Sequence, residues 1–301
     1  MSNSLKNILI GGGSGFVGRH LTSYLKEKGY GVTVVSRVPG SGRISWEDLK
    51  LKGLPSDTKA VVSLAGQNVL DPTKRWSSGF KQDVWSSRVN TTKALAEASL
   101  NSKHKPEAFV SISGVGVYSP SHTEEYNEES LVKEFDFLSG LCLAWEYAAN
   151  RALEASIRTV IIRSGVVLGK DGGMIKQLWL PFFMGLGGPI GNGSQYLPWI
   201  HIDDLTRLIT FAIENFSVKG VLNGVAPDVI TNKDFSNALA KAMNRPALLP
   251  LPAFLLNLAL NEERAKLMTE GQKVIPKKTL EIGFQFKYPN IQDAVHQIVN
   301  K

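Results

Sequence analysis

Short, unbroken apolar runs alternate with stretches of helical periodicity from the start of the chain. Asn7-Ile8-Leu9-Ile10 is β-prone and ends at three glycines. Phe16 to Lys28 then sets Phe16, Val17, His20, Leu21, Tyr24 and Leu25 at helical spacing, and Gly29 stops it. Val32–Val35 is an unbroken β-branched run, as expected of a strand buried on both faces. Ala60–Leu64, Phe109–Ile112 and Thr159–Ile162 read the same way, with helical patterns over Phe80–Leu100 and Leu138–Leu153 between them. Repeated βαβ units of this kind predict an α/β fold, a doubly wound parallel sheet with helices on both faces.

Past Arg163 the texture changes. Gly-rich turns at 185–188 and 191–193 lead into an extended Tyr196–Ile202, then a helix for which Asp203 or Asp204 is the expected cap. Gly220–Asn223 reads as the last strand, and from Ala226 the pattern is helical around a Pro246–Pro252 interruption. The expected division is 1–225 for the sheet domain and 226–301 for a smaller, mainly helical cap.

The first βαβ unit carries the first chemistry. Gly12, Gly15 and Gly18 stand three apart between a strand and a helix opened by Phe16 and Val17. One glycine permits a tight turn, a second lets backbone N–H groups approach a pyrophosphate, and the third lets helix pack on strand. An ordinary glycine-rich turn is the plainer alternative. The strand–loop–helix context favours a dinucleotide site of Rossmann type. The second strand ends in Ser36-Arg37, with no carboxylate before Glu47. A hydroxyl beside a guanidinium suits a 2′-phosphate, which selects NADP over NAD; a solvated surface arginine is the bland reading.

Composition narrows the remainder. The 301 residues are 43 % apolar and 20 % charged, which supports a sizeable core and excludes a fibre or disordered tail. Cys142 is the single cysteine, so there is no intramolecular disulfide framework or Cys-rich zinc module, and a reducing compartment is expected. The five histidines show no metal-ligand spacing. Gly165–Lys170 has the wrong spacing for a phosphate-binding P-loop, and no serine has glycines two residues to either side. The net charge of +7 is scattered without a long Lys/Arg run, so no nucleic-acid partner is expected. The longest apolar stretch, 248–260, has 13 residues and two prolines, short of the ~20 that span a bilayer. Met1–Lys6 is too polar for a leader, and the expected setting is cytoplasmic, with a small-molecule substrate and no membrane partner.

The glycine loop resembles that of extended short-chain dehydrogenases/reductases. The resemblance continues through Leu64-Ala65-Gly66, Arg88-Val89-Asn90-Thr91-Thr92, Ser111–Tyr118, Arg163–Gly169 and Trp199–Leu205. More narrowly, Ser36–Gly40, Gly187–Gly191, Gly224–Pro227 and Gly271–Pro276 resemble the "epimerase family protein" branch, also labelled cell-division-inhibitor homologues. This resemblance implies an NADP-binding Rossmann domain with a C-terminal cap. It also implies cofactor contacts at Leu64 and Ala65, at Asp83 and Arg88, and at Val167 near the nicotinamide carboxamide. For Asp83 and Arg88 the competing reading is an exposed charge pair on a helix.

Active members of the superfamily carry Tyr-x-x-x-Lys, which sets a phenol up for proton transfer. Here the only such spacing is Tyr24/Lys28 on the first helix, the wrong place. Where the motif belongs, Phe137-Leu138-Ser139-Gly140-Leu141-Cys142 supplies neither residue. Ser113, Tyr118 and His201 are the substitute proton donors, each with a structural alternative. Two readings stay open: an NADP-dependent reductase or epimerase with a non-standard donor, and a cofactor-binding sensor that has lost the chemistry.

Overall fold

The computed structural model describes residues 6–300 apart from Pro39 and Pro72. The polar Met1–Leu5 and the Pro39 of the 36–40 string therefore lie outside the described residues. The first half runs β1 (Asn7–Gly11), α1 (Phe16–Glu27), β2 (Gly31–Ser36), β3 (Arg43–Ser45), α2 (Trp46–Lys52), β4 (Thr58–Ser63), α3 (Ser78–Ser86) and α4 (Val89–Asn101). Then come β5 (Ala108–Gly114), β6 (Glu125–Tyr126), α5 (Phe137–Asn150), β7 (Arg158–Ser164), β8 (Val166–Leu168), α6 (Gly173–Phe183), β9 (Trp199–His201) and α7 (Ile202–Glu214). The chain closes with β10 (Gly220–Gly224), α8 (Asn232–Ala242), α9 (Ala253–Leu260), α10 (Glu262–Thr269), β11 (Lys273–Val274), α11 (Lys277–Glu281) and α12 (Ile291–Asn300).

Seven strands form one sheet in the order β3-β2-β1-β4-β5-β7-β10, every pairing parallel. Ile8, Ile10, Val62, Val110, Val160 and Ile162 have no exposed surface, which is why their strands read as continuous apolar runs. The strand order reverses between β1 and β4. That reversal opens a crevice at the carboxyl ends of these strands, where open α/β sheets take their ligands.

Three local expectations are corrected. The helical stretch 80–100 breaks at Ser87-Arg88 into α3 and α4, and 138–153 ends as a short 3-10 turn over Arg151–Ala155. Helix α7 is capped by His201, whose Nδ1 accepts from the Asp203 N–H at 3.1 Å, and not by Asp203 or Asp204. The buried Asp204 carboxylate serves the Lys287 and Tyr288 backbone N–H groups instead, at 2.7 and 2.8 Å. β3 and α2, which the apolar pattern does not announce, are held by a reciprocal Ser45/Asp48 capping box.

A second core gathers Leu168, Ile175, Phe182 and Trp199 with Ala226, Phe235, Leu239, Ile291 and Val295. The C-terminal lobe thus draws β8, α6 and β9, all upstream of residue 226, into its packing. In return, Phe284 packs onto the first core.

Candidate functional site

The loop between β1 and α1 lies against the end of β4. Gly12 has φ +86°, and a Cβ there would stand 2.6 Å from the Ala65 backbone nitrogen. A Cβ on Gly18 would meet the Gly12 carbonyl oxygen at 2.3 Å, so this helix position packs on the loop only as glycine. Gly15, the α1 N-cap, is different: its φ of −73° is ordinary, and an added Cβ would meet only the Gly12 oxygen, at 3.4 Å. No side chain caps α1 and no acid occupies its first turn, which leaves the positive end of the helix facing outward. Phe16 is a packing residue; side chains on Gly169 and Gly172 would collide with its ring. Val17 packs, half-buried, on the first core.

At the end of β2 the Ser36 hydroxyl is spent locally, donating to the Val38 carbonyl (2.7 Å) and accepting from the Val38 N–H (3.0 Å). Arg37 is exposed and, among the described residues, has no ion pair or hydrogen bond. Leu64 follows β4 and donates its N–H to the Gly11 carbonyl at 2.8 Å, tying the two strand ends together. Val167 lies half-buried in β8, opposite Ile200.

Arg88 and Asp83 part company. Asp83 is exposed on α3, while the Arg88 guanidinium turns inward, its Cζ 3.0 Å from where a Gly66 side chain would start. It lies 5.4 Å over the Trp145 ring and donates to the Val84 carbonyl at 3.2 Å. No carboxylate pairs with it among the described residues, and burial lowers its pKa to about 10. A half-buried cation with so little compensation invites an anion.

Helix α5 brings Leu138 and Cys142 to the end of β5, one turn apart on one face. Leu138 lies at Gly116, and a side chain on Gly114 would come within 3.4 Å of the Cys142 sulfur. Burial pushes the Cys142 thiol up to about 11, which keeps it neutral. Beside it, the Ser113 hydroxyl donates to Glu146 Oε1 at 2.9 Å. Arg163 holds Glu146 in a bidentate pair, 2.8 Å on each arm, with both side chains under a tenth exposed. Burial works against the Arg163 charge, but the Glu146 contacts outweigh it and raise the pKa further.

Arg163 also donates to the Tyr118 hydroxyl at 3.0 Å and lies 5.2 Å over its ring. The phenol has one proton for two acceptors, Asn223 Oδ1 (2.9 Å) and the Asn127 carbonyl (3.0 Å). Burial raises its pKa, with Arg163 opposing. His201 lies in the C-terminal lobe, its Nδ1 accepting from Asp203 and its Nε2–H donating to Gln297 on α12 at 2.9 Å. Burial, opposed by the Asp203 carboxylate, lowers its pKa and favours this neutral form. Glu146 and Arg163 were not singled out from sequence. The available signal was Glu146 as the lone charge of α5 and Arg163 closing the apolar Val160–Ile162 run of β7.

Comparison with known proteins gives this geometry a family. Residues 8–223 match the NAD dependent epimerase/dehydratase family, and residues 251–298 match a domain of unknown function, DUF1731. The chain belongs to the NAD dependent epimerase/dehydratase family. Among relatives in the epimerase family, human epimerase family protein SDR39U1 is 48 % identical over 97 % of this chain and 99 % of its own length. The chloroplastic SDR39U1 homolog of Arabidopsis thaliana is 36 % identical over 98 % of this chain and 87 % of its own. A crystal structure of the human protein (isoform 2) with NADPH superposes with a TM-score of 0.94 at 45 % identity, covering 98 % of this chain and 99 % of that one.

The residues of this epimerase-family chain fit a dinucleotide on structural grounds alone. Gly12 and Gly18 form a cradle that side chains would fill, α1 presents an uncapped N-terminus, and Arg88 is a half-buried cation with no anionic partner among the described residues. Among the described residues no cluster of His, Cys, Asp or Glu is arranged to hold a metal, and no helix is long and apolar enough to cross a membrane.

Proposed function

We propose that this chain binds NADPH across the carboxyl ends of β1, β2, β4 and β8 and acts as an NADP-dependent oxidoreductase on a small molecule, without the superfamily's tyrosine–lysine pair. The observation that carries the reading is the glycine cradle with its uncapped helix. The backbone N–H groups of Phe16 and Val17 take the pyrophosphate; the Gly15 N–H is spent on the Gly12 carbonyl at 3.1 Å, so Gly15 offers only its bare backbone to the phosphate, and Gly12 and Gly18 keep the loop and α1 close enough to present the donors. Arg37 takes the adenosine 2′-phosphate without help from the Ser36 hydroxyl, which is already bonded to Val38. The backbone of Leu64, Ala65 and Val167 lines the dinucleotide. Arg88 supplies an inward charge beside Gly66, and Asp83 serves the cofactor's polar periphery. When bound, the nicotinamide supplies or accepts a hydride. This chain's residues must then orient the substrate and exclude water, with Ser113 the hydroxyl at the end of β5.

A second reading, a cofactor-binding sensor without turnover, is supported by one observation. Ser113, Tyr118 and His201 all have their polar atoms engaged by protein partners. An assay over carbonyl compounds and sugar nucleotides separates the two readings, because proton transfer contributes about 10²–10⁴ in rate. Turnover that falls with Ser113→Ala supports the enzyme; tight binding with no turnover supports the sensor.

Calorimetric titration tests the cofactor. Arg37→Asp is expected to weaken NADPH about a hundredfold while changing NADH little, since it removes a charge-assisted pair and adds repulsion. Unchanged NADPH affinity would overturn the Arg37 assignment, and a wild-type protein that binds neither dinucleotide would overturn the reading as a whole. The lone buried Cys142 suits a reducing compartment, and we place the protein in the cytoplasm. Fractionation showing it inside an organelle would correct that placement.

A further inference from the structure

Past the end of β4 the chain runs from Gly66 through Asp71 and Lys74 to an aromatic group at the start of α3. Trp76 packs edge-on against Phe80 (5.8 Å between ring centres) and Phe137 (5.5 Å), and Leu138 belongs to the same cluster. This group flanks the crevice on its β4–β5 side. Helix α10 reaches it from the C-terminal lobe. Arg264, 2 % exposed, lies 5.7 Å over the Trp76 ring and 5.9 Å over that of Phe80. Its guanidinium also donates to the Lys74 and Asp71 carbonyls, at 2.8 Å each. Next to it, Glu263 accepts from Lys81 Nζ at 2.6 and 2.8 Å, and that ammonium stands 5.4 Å from the Trp76 ring.

The hold on α10 from its own lobe is slight. Leu256 of α9 and Ala265 of α10 pack with Ile190 in a small core, and Gln195 Nε2 donates to the Met268 carbonyl at 2.9 Å. Phe254, Leu255 and Leu258 of α9 stay exposed. An element with so few buried contacts opens at low cost. Asn261 joins the two helices end to end, its Oδ1 accepting from the Arg264 N–H at 3.1 Å. Its backbone, at φ +71° and ψ 165°, occupies a region that is nearly glycine-only, and such strain persists only where the surroundings impose it. The contact at the tip is itself incomplete. Trp76 Nε1 and Arg264 Nε are buried with no partner among the described residues, so each gains a hydrogen bond to water when the contact opens.

We propose that α9 and α10 form a lid across the crevice, latched by Arg264 on Trp76 and Phe80, which opens to admit and release ligand. A desolvated cation over two rings, two carbonyl bonds and the Glu263–Lys81 pair favour the closed form. The strained Asn261 junction and the two unpaired N–H groups favour the open one. Opposed contributions of this kind leave the small difference that a gate needs if it is to open in every round of binding. What the lid covers rests on the cofactor reading above; its motion does not.

Amide hydrogen exchange on the whole chain without ligand tests the motion. Arg264→Met keeps the length of the side chain and removes its charge. It should speed exchange over 262–269 and 77–81 about tenfold and leave β1 and β4 unchanged. Lys81→Glu and Glu263→Lys, at the partly exposed pair, should each act in the same direction more weakly, and the two combined should return toward the wild type. These surface variants decide the matter if Arg264→Met does not fold. Unchanged exchange in folded variants, or faster exchange throughout the sheet, overturns the latch. Stopped-flow release of NADPH then tests what the lid covers, and Arg264→Met should release it about tenfold faster. Faster exchange with unchanged release would put the lid away from the crevice and overturn the proposal. A wild type that binds no dinucleotide would sink the cofactor reading, while the exchange contrast would still decide the latch.

Discussion

The two halves of the crevice are built by different means. On the β1–β4 side the site is mostly backbone: Gly12 and Gly18 shape a loop, and the exposed α1 terminus supplies the charge. On the β5–β7 side it is a chain of buried side chains, Ser113, Glu146, Arg163, Tyr118 and Asn223, drawn from five separate segments. The first half gives up packing to leave room for an anion. The second satisfies its polar groups internally and leaves little free to act on a substrate.

The contrast predicts that damage on the two sides has opposite signatures. The largest effect is expected from Arg163→Met, which strands the Glu146 carboxylate in a buried site. It should cost about 3–5 kcal/mol in a denaturant melt, and Glu146→Leu added to it should restore part of that loss. A loss below about 1 kcal/mol would mean that water reaches the network.

Gly15→Val comes next and should do the reverse. The backbone there is extended and nothing but the Gly12 oxygen is near, so the fold survives. The branched side chain occupies the space where the phosphate must approach. Saturating NADPH, which should stabilise the wild type by about 2.7 kcal/mol at a hundred times Kd, should give the variant no shift in Tm. A normal shift would place the pyrophosphate elsewhere.

The smallest effect concerns His201, which lies outside both halves. Its folded pKa is depressed by burial, so the unfolded chain takes up the proton first as the pH falls. The stability this contributes is complete above the ordinary histidine value of about 6.5 and is lost as the pH drops through the folded value. Between pH 7.5 and 5.5 the wild type should therefore lose more Tm than His201→Asn, which keeps a capping oxygen. Equal losses would show that the ring titrates normally.

Legibility in the sequence follows the same division. The strands of the central sheet were readable because burial on both faces demands unbroken apolar runs, and Gly12 and Gly18 were readable because their constraint is local. The bond of the Ser36 hydroxyl to Val38 is a turn contact that no spacing announces. The partners of His201 are equally hidden from the sequence. Its cap on α7 is two residues away, but its second partner, Gln297, is on α12. The inward turn of Arg88, away from Asp83, depends on Trp145 and Gly66, which the chain brings together from distant segments.

By itself, then, the order of residues determined the alternation of strands and helices, the glycine loop, the cation after β2 and the lack of a tyrosine–lysine pair on α5. Each is a matter of residue type at short range, where sterics and periodicity act directly. The tertiary structure alone decided which polar groups are free and which are consumed. A hydrogen bond such as Tyr118 to Asn223 joins residues 105 positions apart, and no local preference encodes it.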